Sequence, residues 1–149
     1  MKSLFNNQDL QEVLTRIDRI APGAQRQWGK MELPQMLAHA ANALEMAMGK
    51  INPPRVFIGR LLGRFFKSRY TEDTPFSKGN PTSERIRVID TRDFAAEKER
   101  LRKAVEQFAV GGERGCTTHP HPFIGILTPS EWGIGMYKHL DHHLRQFGS

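Results

Sequence analysis

The residues best suited to do chemistry gather near the C-terminus, in Tyr137-Lys138-His139-Leu140-Asp141-His142-His143-Leu144-Arg145-Gln146-Phe147. On a helix, His139 and His143 stand four positions apart on one face, with Cβ atoms roughly 5–6 Å from each other. Two imidazoles so placed can each turn a nitrogen toward one ion, because zinc–nitrogen bonds are only about 2.0–2.1 Å long. At about 100° per residue the same helix collects Met136, Tyr137, Leu140, Leu144 and Phe147 on its buried side. His143 falls within that side and His139 at its edge, whereas His142 faces solvent. Gln146 shares the side of the first two and could orient one of them through its remote nitrogen. A third imidazole is expected from His39, in Met36-Leu37-Ala38-His39-Ala40-Ala41, where it borders an apolar stripe. The alanines around it would let another helix come close. Three neutral imidazoles leave coordination positions open to water or substrate, as catalytic sites do and closed structural sites do not. Imidazole ligands suit a divalent ion, with zinc or nickel expected. The plain alternative for each histidine is a hydrogen-bonded core residue; paired spacing argues against it at 139 and 143 more than at 39. No side chain offers itself as a general base, so no catalytic residue is assigned.

Helices must carry these residues, and their signals are readable. The first spans about 7–20, with Leu10, Val13, Leu14 and Ile17 on one face and Pro22-Gly23 beyond its end. The second starts near Met31, carries Leu33, Met36, Leu37, Ala40, Leu44 and Met48, and is closed by Gly49. The third is expected from Asn52 as N-cap, with Pro53 and Pro54 in its first turn, to about Arg69. Signals fade over 70–89, where Pro75 and Gly79-Asn80-Pro81 indicate an irregular connection. Ile86 and Val88 alternate there with Arg85 and Arg87, as in a short extended piece. The fourth helix opens near Asp90 or Thr91, buries Phe94, Leu101, Ala104, Val105 and Phe108, and stops at Gly111-Gly112. The last begins at a capping box, Thr128-Pro129-Ser130-Glu131, with Leu127 and Trp132 placed as a hydrophobic staple, and runs to Phe147. With no strand pair in sight, the expected architecture is an all-α helical bundle in one domain spanning 1–149.

Composition narrows the class. The 149 residues are 38% hydrophobic and 26% charged, values of an ordinary globular domain rather than a disordered chain. No stretch approaches the ~20 apolar residues of a membrane span, and the N-terminus lacks the apolar run of a signal peptide, so a cytoplasmic location is expected. Cys116 is the only cysteine, which excludes an internal disulfide and thiolate zinc cages. The net charge of +6 favours anionic partners, but the basic residues are spread over several segments, which argues against nucleic acid.

Two other groupings hold residue types capable of chemistry. Cys116-Thr117-Thr118-His119-Pro120-His121 lacks a third group to orient a base, so loop packing at the mouth of a pocket is the better reading of His119 and His121. Arg55, Arg60, Arg64, Lys67 and Arg69 interleave with Phe57, Ile58, Leu61, Leu62, Phe65 and Phe66. A core helix with a basic edge is favoured there over a helix that binds membrane surface or nucleic acid. No phosphate-binding glycine loop or serine nucleophile elbow occurs.

One histidine in the second helix, then His-x-x-x-His and a glutamine three residues on in the last, resembles the DinB-like (DinB/YfiT) superfamily of metal-binding four-helix bundles. Two segments are similar to a branch catalogued as a domain of unknown function: His121-Pro122-Phe123-Ile124-Gly125-Ile126-Leu127-Thr128-Pro129, and His139 through Gly148. The resemblance implies an up-down-down-up four-helix bundle with a long crossover and one divalent metal on His39, His139 and His143. It also implies a homodimer and a small-molecule reaction, either hydrolysis or transfer of a low-molecular-weight thiol. The competing reading is a non-enzymatic helical module for an anionic partner such as nucleic acid or a membrane surface.

Overall fold

A computed structural model describes residues 1–78 and 86–149. Among these residues the regular structure is helical, apart from a single antiparallel bridge between His121 and Gly125. The five α-helices are α1 (Asn7–Arg19), α2 (Leu33–Ala47), α3 (Phe57–Thr71), α4 (Phe94–Gly111) and α5 (Pro129–Gln146), with a 3-10 turn at Glu113–Gly115.

Local chemistry explains most boundaries. The Asn6 side chain accepts from the backbone N–H of Gln8 and Asp9 at the start of α1. Glu32 and Gln35 form a reciprocal capping box on α2, and Thr128 and Glu131 form the expected one on α5. Asp93 caps α4, a few residues later than the sequence suggested, through Ala96 N–H at 2.8 Å. The start of α3 is also corrected, from Asn52 to Phe57. The Pro53 carbonyl is engaged by His119 Nε2 at 3.2 Å, and Val56 N–H donates to the Pro122 carbonyl at 3.1 Å. Those contacts hold residues 52–56 extended along the 119–122 loop and postpone the helix.

Four helices close a ring in the order α1, α4, α2, α5, each packed on its two neighbours, while among the described helices α3 packs only on α5. The core lies inside the ring. Helix α2 is buried nearly all round, and its alanines at 38, 40, 41, 43 and 47 permit close approach on two sides. Arg100 ties α4 to α2 through Glu45 at 2.8 Å, and Arg16 ties α1 to α5 through Asp141 at 2.8 Å.

The core-helix expectation for α3 is overturned. Phe57, Ile58, Leu61, Leu62 and Phe65 are exposed, whereas the inward residues are Gly59, Gly63 and Tyr70. A Cβ at Gly59 would stand 2.5 Å from the Pro122 carbonyl oxygen, so this helix lies on the 122–124 backbone through its glycine face. The alternation read at Ile86 and Val88 is present, both being buried and Arg87 exposed, though no strand forms. Gly79-Asn80-Pro81 and Arg85 lie outside the described residues. No helix among the described residues is long and apolar enough to cross a membrane.

Candidate metal centre

His39 reaches the centre from the middle of α2; His139 and His143 reach it from successive turns of α5, which packs on α2. One ligand nitrogen from each lies within 4.8 Å of the others, and the ring centroids are 4.6–5.0 Å apart. His39 Nε2 and His139 Nε2 are separated by 3.1 Å. Nitrogens sharing a tetrahedral zinc through bonds of about 2.0–2.1 Å stand about 3.3 Å apart, so the His39–His139 pair is close to the spacing an ion requires.

Hydrogen bonding decides which nitrogen of each ring is free. His39 Nδ1 faces the Ile86 carbonyl at 3.0 Å; a carbonyl only accepts, so Nδ1 carries the proton and Nε2 presents its lone pair. A two-step relay does the same for His143. The Trp28 carbonyl accepts from Gln146 Nε2 at 2.7 Å, which turns Gln146 Oε1 toward His143 Nδ1 at 2.9 Å. His143 Nδ1 therefore donates, and its Nε2 is left bare. His139 completes the argument. If its Nε2 bears the proton, it bonds to His39 and leaves an enclosed Nδ1 lone pair with no partner among the described residues. If Nδ1 bears the proton, two lone pairs face each other at 3.1 Å. Either arrangement leaves a buried polar conflict; a divalent ion shared by the two Nε2 atoms would remove the opposed lone pairs, though not the unpartnered Nδ1–H of His139.

Burial keeps all three rings neutral. It pushes His143 down from 6.5 to about 3, with the nearness of His39 adding to the effect and the Gln146 bond opposing it. His139 is pushed further down, by burial first and then by the neighbouring histidines. His39 is lowered by burial, against the raising effect of the Ile86 carbonyl. Neutral imidazole is the form that ligates.

The three rings line a cavity of about 590 Å³ walled largely by apolar side chains, among them Met46, Phe65, Phe66, Phe123 and Met136. His142 is not the solvent-facing residue expected. It is half-buried, its ring 5.7 Å from Trp28, 6.3 Å from Phe76 and 5.1 Å from His143, because the segment after α3 folds over it. It nevertheless stands outside the cluster of three. His119 packs its loop, as expected. The Cys116 thiol is pushed up to about 11 by burial and by Glu113, which makes it a poor nucleophile.

Sequence reasoning missed the backbone partners, the carbonyls of Ile86 and Trp28, which leave no side-chain signature. It also missed Gly29, whose φ is +83° and whose missing side chain leaves room for the Gln146 amide. A Gly directly after a Trp was the one available sign.

The fold and the site together define an all-helical protein with a buried tri-histidine cluster that could hold a metal ion. Over residues 2–149 the chain matches the family described as protein of unknown function (DUF1569), and it belongs to that family. No curated protein and no solved structure matches it significantly.

Proposed function

We propose that this chain is a divalent-metal-binding protein of the DinB-like superfamily, acting on a small molecule by thiol transfer or hydrolysis. The observation that carries this reading is the convergence of three imidazoles on one point, with the outward nitrogens of two of them already committed to a carbonyl and a glutamine. His39, His139 and His143 would hold one ion, zinc or nickel by the chemistry of the donors. Acidification of a water or thiol at neutral pH is the chemistry such an ion supplies when bound. The chain's own part is to keep the three rings neutral, fix their orientation, and enclose the reacting molecule in an apolar cavity that excludes bulk water. The ring of α1, α4, α2 and α5, with α3 on the long connection between α2 and α4, supports the DinB-like reading of the fold and a single domain.

Elemental analysis of protein purified without a histidine tag tests the assignment. About one metal ion per chain is expected, lost in His139→Ala and His143→Ala and retained in His142→Ala. Full stoichiometry in the first two variants would overturn it.

A further inference from the structure

The cavity has a wall that the metal reading leaves unused, and His121 stands in it. Unlike the three clustered histidines, this ring uses Nδ1 as an acceptor. The backbone N–H groups of Phe123 and Ile124 both point at it, at 3.2 and 3.3 Å. A nitrogen that accepts two N–H bonds carries no proton, so in the neutral ring the proton is on Nε2. Burial, with the Arg55 cation nearby, holds the ring neutral by pushing it down to about 4. The ring is gripped between Tyr70 at 5.8 Å and Trp132 at 5.7 Å, and its own turn is pinned by the paired bonds between His121 and Gly125. Tyr70 keeps its place because it lies directly on Gly135, where any side chain would collide with it. The outcome is a rigid N–H donor. It cannot ligate a metal, since one nitrogen is occupied and the other protonated. Its Nε2 has no hydrogen-bond partner among the described residues, and it turns away from its own loop, because the two ring nitrogens point to opposite sides.

We propose that the cavity binds a small molecule with an apolar body and a carboxylate or carbonyl head, the head accepting the Nε2–H of His121 and the body lying against Met46, Phe65 and Phe66. Ile58 and Phe65, exposed on α3, belong to the same wall, so part of the unusual apolar surface of that helix is the approach to the cavity. A volume near 590 Å³ is within the usual range of small-molecule sites. This deepens the proposed function by naming the ligand class its open side would face, yet the tautomer of His121 does not depend on an ion.

The experiment therefore has two arms. Long-range ¹H–¹⁵N spectra of the metal-free protein should show His121 as the Nε2–H tautomer and His39 and His143 as Nδ1–H; an Nδ1–H form at His121 would overturn the proposal. In the second arm, 4-phenylbutyrate and the neutral 4-phenylbutanol are titrated calorimetrically into zinc-treated and metal-free protein. Wild type should bind the carboxylate more tightly. His121→Phe should weaken phenylbutyrate at least ten-fold while leaving phenylbutanol and zinc content unchanged. His121→Asn keeps an acceptor for the loop and a donor for the ligand, and should restore most of the affinity. Equal phenylbutyrate binding in His121→Phe, no preference for the carboxylate in wild type, no binding of either probe, or zinc lost with His121 would each overturn it. A protein that takes up no zinc yet discriminates the probes through His121 would sink the metal reading alone.

Discussion

At the scale of single residues, the decisive feature is the position of the proton on three imidazoles, His39, His143 and His121. The oxygens of the Ile86 carbonyl and the Gln146 amide accept from Nδ1 of His39 and His143 and hold the proton there, whereas Nδ1 of His121 accepts from backbone N–H groups and its proton is on Nε2. The same side chain thus becomes a ligand in one environment and a donor in another. Gln146 is the lever, because it is buried and holds both Trp28 and His143. Gln146→Leu should lower zinc affinity about 10–100-fold, measured by competition with a chromophoric chelator. Gln146→Glu, which still accepts from His143 Nδ1, should keep most of it. An affinity within two-fold of wild type in the leucine variant would mean that Gln146 does not orient the ring. The ligand spacing and Gln146 itself were legible because side chains on a helix recur with a fixed angle. The position of His142 was not, since a residue turned from the core is covered here by a connecting segment that no periodicity describes. A loop position for His121 at the mouth of a pocket was legible, and the ring does line the cavity, but its tautomer was hidden, because that depends on backbone directions.

At the scale of elements, α3 and α5 show what a pattern can and cannot tell. The apolar stripe of α3 was readable, but a stripe does not name its partner. The glycine face of this helix fits closely on the 122–124 backbone, which commits Phe57, Leu61 and Phe65 to the outside. The capping box of α5 was legible because it is entirely local. What joins the two helices is Lys138, a buried cation whose Nζ donates to the Arg69 and Glu72 carbonyls at 2.9 and 2.7 Å and lies 4.8 Å from the Phe76 ring centroid. Charge at the C-terminal end of a helix is favourable, and these carbonyls have no partner within α3. Burial lowers the pKa of this lysine, so the interaction is held against a desolvation cost. Lys138→Met should lower stability by about 1–3 kcal/mol in urea unfolding. It should also speed amide exchange over residues 68–76 and leave metal content at wild-type level. Unchanged exchange there would show that α3 is held chiefly by its glycine contacts.

At the scale of the whole molecule, helices far apart in sequence meet to form one centre: α2 brings His39 across a separation of 100 residues to His139. The all-helical class and most of the core were legible because amphipathic segments and caps are local signals. The ring order was not, because it depends on which stripes face one another, and the alanine-rich surface of α2 accepts neighbours on more than one side. Membership in the DUF1569 family leaves the chemistry to be read from the site. An anomalous difference map from crystals grown with zinc, collected on both sides of its absorption edge, tests the proposed metal centre. One strong peak is expected, bonded to Nε2 of His39, His139 and His143, with an open side toward the cavity. A map with no peak among these three rings, or with its strongest peak on other residues, would contradict it.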